Sequence, residues 1–187
     1  VAPLKRLCRV PGDAKPDEAK GRGKKVGKFL EFACEAEPGI GVTTRWEAGS
    51  GKLDRLTVVL GLGGADAAGK SDEYARAQKS GWDVAVIELR ATGDRSPRGN
   101  RIRRALDHNA SQWAMWIGRP LITQWVTDIR RSLDQLAKLV YRSRLPKVRL
   151  VGRGGAGLLA VVAARGIPVR KGSCSNPIAV APGMNTL

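Results

Sequence analysis

The chain has 187 residues, 42% hydrophobic and 27% charged, which suits one domain with a real core. No apolar run is long enough to cross a bilayer, and residues 1–30 lack the apolar centre of a signal peptide, so the default expectation is no membrane partner and a cytoplasmic location. The formal charge of +16 would suit nucleic acid, but its two concentrations, residues 5–28 and Arg90–Arg104, carry no aromatics for base stacking, so a solvated basic face and no nucleic-acid partner are expected.

Residues 1–25 are rich in Pro, Gly and Lys without periodicity and read as a linker or disordered tail. The three cysteines, Cys8, Cys34 and Cys174, are too far apart and too few for a disulfide framework or a zinc site, so no metal is expected. Strands are predicted at 28–34 and 41–46, joined by the turn Glu37-Pro38-Gly39. Leu56–Leu60 is apolar on both faces and belongs inside a sheet. Ser71 reads as the N-cap of a helix that carries Asp72 and Glu73 in its first turn and stops before Gly81. A strand at 83–89 follows, and then a long irregular segment over 91–120. The clearest helix is predicted near 121–141, with Trp125, Ile129, Leu133 and Leu136 on one stripe and the charges opposite. Val148–Val151 is a buried strand that runs through Gly152-Arg153-Gly154-Gly155 into an apolar helix ending near Arg165. Residues 166–187, with three prolines, read as an irregular tail.

Alternating strands and helices predict an α/β fold, doubly wound around a mostly parallel sheet. The domain occupies 26–165, and a sheet ending there would expose an apolar edge, so the fold is expected to be incomplete at its C-terminus.

Three glycine motifs compete for the function. Gly64-Ala65-Asp66-Ala67-Ala68-Gly69-Lys70-Ser71 spells a P-loop, in which Lys70 and Ser71 would meet a terminal phosphate and magnesium; Asp66, Asp72 and Glu73 would crowd that ligand with negative charge. Gly152-x-Gly154-x-x-Gly157 spells a dinucleotide fingerprint, but the next candidate strand, Gly166–Val169, contains Pro168 and leads into Arg170-Lys171 rather than an acid for the ribose. The third motif is the tight strand-to-helix turn itself, with Gly154 at its apex. Such a turn aims its apex residue and the first helical N–H groups at a reacting atom.

Two further strings single out a family. Glu88-Leu89-Arg90-Ala91-Thr92-Gly93 resembles the Asp-x-Arg-Gly-x-Gly that follows the fourth strand of bacterial acetyl xylan esterase-like α/β-hydrolases, relatives in fold of the dienelactone hydrolases. Asp107-His108-Asn109-Ala110-Ser111-Gln112-Trp113-Ala114-Met115-Trp116-Ile117-Gly118-Arg119-Pro120, ahead of an amphipathic helix, is similar to the same family. The resemblance covers about residues 24–165. It implies an α/β-hydrolase fold and hydrolysis of a carboxylic ester, such as an acetyl group on a plant polysaccharide, without metal or organic cofactor. It makes Gly154 the nucleophile position, and Gly63 and Gly155 the backbone donors of an oxyanion hole. Gly154 has no side chain, and the acid and histidine that follow the elbow in this family have no counterpart here, so little or no turnover is expected.

The remaining candidates are open at this level. His108 beside Asp107 is either an oriented base or part of a hydrogen-bonded loop. Trp113, Trp116 and Trp125 either line a pocket for a small ester or acetylated saccharide or pack the core and lid. Arg119 either pairs with Asp94 or Asp107 or meets a substrate carboxylate. Nucleotide binding at the P-loop pattern is the alternative function. Nothing in the residues fixes the oligomeric state.

Overall fold

The computed structural model describes residues 23–51, 53–166 and 179–180. Three strands run antiparallel at its start: β1 (Lys24–Val26), β2 (Phe29–Glu37) and β3 (Ile40–Glu47). Four more, β4 (Arg55–Leu60), β5 (Asp83–Glu88), β6 (Lys147–Gly152) and β7 (Ala179–Val180), pair parallel with one another. β3 joins the two sets by lying antiparallel to β5. The sheet order is therefore β1-β2-β3-β5-β4-β6-β7.

Helices cover both faces because the central strands are apolar on both. Leu56, Val58, Ala85, Ile87 and Leu150 point to one side, where they pack against α4 (Leu121–Leu139) and α5 (Gly155–Gly166). The alternate residues Val59, Val84 and Val86 point the other way, onto Ala65 and Ala68 of α1 (Ala65–Ala68) and Tyr74 and Ala77 of α2 (Asp72–Lys79). The period of two thus divides the apolar residues of these strands between two cores. Fully buried Ile87, Ile129 and Leu150 each contribute about 1.5–3 kcal/mol by leaving water.

Local signals place the helix ends. The Ser71 hydroxyl accepts the Tyr74 N–H at 3.2 Å, and Asp72 and Glu73 sit against the positive end of α2. Gly39, at φ +76°, closes the turn between β2 and β3. The register slips between Glu35 and Glu37, a bulge that re-aims the Glu37 side chain.

Several expectations need correction. The segment 91–120 is not irregular throughout: it holds a 3-10 turn at Gly93–Arg95 and a nine-residue helix, α3 (His108–Trp116), whose Ala110 and Ala114 enter the core. Small residues on the packing side hid that helix from a search for large apolar periodicity. β1 begins at Lys24, inside the stretch read as a tail, and Ala179–Val180 add to β6 in the stretch read as irregular. The charges of α4 are not all opposite its stripe, since Asp128 is wholly buried. Most of the tails assigned to 1–25 and 166–187, and the strand considered at Gly166–Val169, lie outside the described residues apart from Gly166, which ends α5.

Candidate active site

Leu60 and Gly152 are register partners at the carboxyl ends of β4 and β6. The chain leaving β4 crosses to β5 over the α1–α2 face, whereas the chain leaving β6 enters α5 on the opposite face. Two adjacent parallel strands therefore send their loops apart, which opens a crevice at the sheet's edge between them. In open α/β sheets this switch point is where ligands bind.

The turn after β6 is built for close approach. A Cβ on Gly152 would meet the Ala156 carbonyl oxygen at 2.5 Å, so only glycine lets α5 start hard against the strand end. Gly154 stands at φ +58°, and a Cβ there would meet nothing within 4 Å. The apex thus takes left-handed backbone, which glycine adopts without strain, and opens onto free space. Leu62, in the loop after β4, touches the other side of the turn: its Cδ1 lies 2.9 Å from where a Gly155 Cβ would be.

Between the two loops lies a cleft of about 550 Å³, whose walls include Gly61, Gly63, Lys70, Glu73, Leu106 and Arg153. Neighbouring N–H groups are committed: Gly64 donates to Gly61 O, Ala156 to Arg153 O and Gly157 to Gly154 O. Among the described residues, the N–H groups of Gly63 and Gly155 have no such acceptor. Both residues are exposed, so these N–H groups are open to solvent or to a ligand.

The carboxyl ends of β5 and β2 brace this region. Glu88 accepts the Ala65 N–H at the start of α1, directly behind Gly63 and Gly64, while its other oxygen is buried without a partner. Burial pushes this carboxyl above its ordinary value, and the Ala65 bond does not offset it. Arg90 binds Asp128 and reaches Glu37 at 3.0 Å, and Arg119 holds the other Glu37 oxygen at 2.5 Å. Burial raises the Glu37 carboxyl, but Arg119 and Arg90 outweigh it and hold it below its usual value.

Gly63 lines the cleft, Gly155 lies against Leu62 of the same loop, and Gly154 stands at the apex with nothing within 4 Å of its Cβ position. The other candidates lie elsewhere. His108 opens α3, and Asp107 accepts from the Ser111 hydroxyl at 2.8 Å instead of orienting the imidazole. Trp125 is core, its indole N–H donating to Arg90 O at 2.9 Å. Trp113 and Trp116 are neither core nor among the residues lining the cleft, because they stand on the exposed side of α3. Arg119 pairs with Glu37, not with Asp94 or Asp107, since the β2 bulge delivers that carboxylate to it. Arg153 was missed as a cleft residue although it lies inside the elbow; position within the motif was its only signal.

The P-loop pattern does not fold as a phosphate cradle. Ala65–Ala68 form a helical turn inside it, Gly69 N–H is spent on Ala65 O, and the Ser71 hydroxyl donates to Ala68 O at 2.7 Å while capping α2. Asp66 is held by Arg45. Among the described residues no cluster of His, Cys, Asp and Glu comes together to hold a metal, and no helix is long and apolar enough to cross a membrane.

No family model matches the chain, and no curated protein matches it. Solved structures do. A candidate acetyl xylan esterase from Bacteroides fragilis superimposes with a TM-score of 0.63 at 12% identity, over 87% of this chain and 48% of its own. The acetyl xylan esterase of Thermoanaerobacterium sp. gives a TM-score of 0.52 at 14% identity, over 86% of this chain and 52% of its own. That of Paenibacillus sp. R4 gives 0.50 at 17% identity, over 87% and 53%. The chain spans about half the length of these proteins. At such identity the likeness is one of fold, and the fold it shows is of the α/β-hydrolase type.

Proposed function

We propose that this chain carries the carbonyl-binding part of a carboxylic-ester hydrolase site of the acetyl esterase type, and that it binds a small ester or acetylated saccharide without turning it over. The observation that carries this reading is the pair of unspent N–H groups, Gly63 and Gly155, on loops held against each other at the switch point. An ester carbonyl oxygen placed there would accept from both, and developing negative charge on it would be stabilised by donors already fixed in position. Attack on the carbonyl carbon would come from the elbow apex. Gly154 offers no atom for it, and the chain's single histidine, His108, is not oriented by Asp107. Loss of nucleophile and base together lowers turnover by about 10⁶ in a well-studied triad enzyme.

The test has two arms. With p-nitrophenyl acetate, the rate above buffer should stay linear in substrate; saturable turnover would overturn the inactive reading. Acetylated xylo-oligosaccharides should raise Tm more than the same sugars after deacetylation. Equal shifts, or none, would overturn the carbonyl-binding reading. ATP with magnesium should leave Tm unmoved, because Ser71 and Gly69 are already committed.

A further inference from the structure

The C-terminal half of α3 and its cap carry large apolar side chains that stand exposed among the described residues. Trp113 is 47% exposed, Met115 68%, Trp116 78% and Ile117 68%. Large apolar side chains standing together in water mark a contact surface. Asn109, Trp113 and Trp116 follow one another at i, i+4 and i+7, so they form one stripe, while Ala110 and Ala114 turn to the core.

The same stripe is tied to a basic hairpin. The Asn109 amide donates to Gly99 O at 2.8 Å, and Ala110 N–H donates to Asn100 Oδ1 at 2.7 Å. From that anchored base, residues 101–106 project as a small turn closed by paired bonds between Ile102 and Ala105, with Arg103 at φ +54° near its tip. Arg98, Arg101, Arg103 and Arg104 are all exposed, and among the described residues none pairs with a carboxylate. Ile102 and Leu106 of the same turn are exposed as well. The fold therefore anchors the arginine-bearing turn to the first turn of the helix that carries Trp113 and Trp116, a junction that the separation of arginines and tryptophans along the sequence conceals.

We propose that this face, the 98–106 turn with the Trp113–Ile117 side of α3, docks on an anionic lipid surface. Arginines meet the headgroup phosphates and carboxylates, while Trp113 and Trp116 lie at the headgroup level and Ile117, on the same side, enters the acyl boundary. Such contact is peripheral and needs no spanning helix. A second copy of the chain is disfavoured as the occupant, because it brings the same arginines and another +16 of charge. Nucleic acid would satisfy the arginines but leave the aliphatic side chains without an apolar partner.

The experiment uses the whole chain with vesicles of phosphatidylcholine alone and of phosphatidylcholine with phosphatidylserine in equal parts. Binding is expected only to the second, with a blue shift of tryptophan emission, quenching by brominated lipid, and release by salt. Neutralising Arg98, Arg101, Arg103 and Arg104 to Gln should weaken partition about fivefold per arginine. Trp113→Ser with Trp116→Ser should abolish the blue shift and quenching, and the wild-type spectra keep the test decisive even if a variant folds poorly. Absence of wild-type binding to the anionic vesicles, or equal binding to both kinds, would overturn the proposal. So would single-stranded DNA that quenches the same tryptophans while vesicles do not compete, or a stable dimer that protects them without lipid.

Discussion

Arg90, just past the carboxyl end of β5, and Asp128, with no exposed side-chain surface in α4, form a two-pronged pair: Nη2 to Oδ1 at 2.5 Å and Nε to Oδ1 at 3.0 Å. The Arg90 backbone N–H also donates to Asp128 Oδ2, and Trp125 of the same helix donates to Arg90 O. One helix thus locks the loop that follows β5 through backbone and side chain together. Asp128→Ala leaves buried Arg90 with Glu37 as its remaining carboxylate and should cost about 3 kcal/mol. Urea unfolding measures it, and a loss below about 1 kcal/mol would show that the pair is not the lock.

The turn after β6 should rank its own substitutions. Gly154→Ala has room for its methyl and pays only for left-handed backbone, about 1–2 kcal/mol. Gly152→Ala drives a Cβ into the Ala156 carbonyl at 2.5 Å and must move α5, so its loss in Tm should be the larger. Gly154→Ser should fold as Gly154→Ala does and still show no saturable ester turnover, since no base stands ready to activate it.

Glu88 predicts a pH signature. Its folded pKa is raised above 4.5, first by burial, so the protonated form is favoured in the fold. The stability this confers is complete below the unfolded value and is lost as pH rises through the folded one. Glu88→Gln should remove that fall, making the variant's stability flatter than wild type from pH 4.5 upward. Unfolding midpoints across that interval test the sign; a wild type that gains on the variant as pH rises would refute it.

Tryptophans on neighbouring helices should behave in opposite ways. Trp125→Ala removes a core side chain and its bond to Arg90 O, at about 3–5 kcal/mol. Trp116→Ser alters an exposed position and should stay within about 0.5 kcal/mol in chemical denaturation.

Local chemistry was legible residue by residue. Ser71 followed by Asp72 and Glu73 marks a capped helix wherever it stands, and it caps α2. Leu56–Leu60 carries apolar residues on both faces, as a strand covered on both sides requires, and it is a central parallel strand. Gly152-Arg153-Gly154-Gly155 forces a tight turn from strand to helix because of what glycine lacks. Asp128 inside an apolar stripe, α3 with its alanines inward, and the partner of Arg119 were not legible. In each case the decisive group comes from a distant part of the chain.

The sequence by itself determined the alternation of strands and helices, the doubly covered sheet and the glycine elbow, because periodicity, capping and positive φ act within a few residues. Only the tertiary structure decided that the loop after β4 meets the turn after β6 through Leu62 and Gly155, that Glu37 serves Arg90 and Arg119, and that the arginine turn is anchored to α3 at Asn109 and Ala110. These are meetings between segments tens of residues apart, fixed by strand register and helix packing. No local pattern carries that register, so it becomes visible only once the sheet is formed.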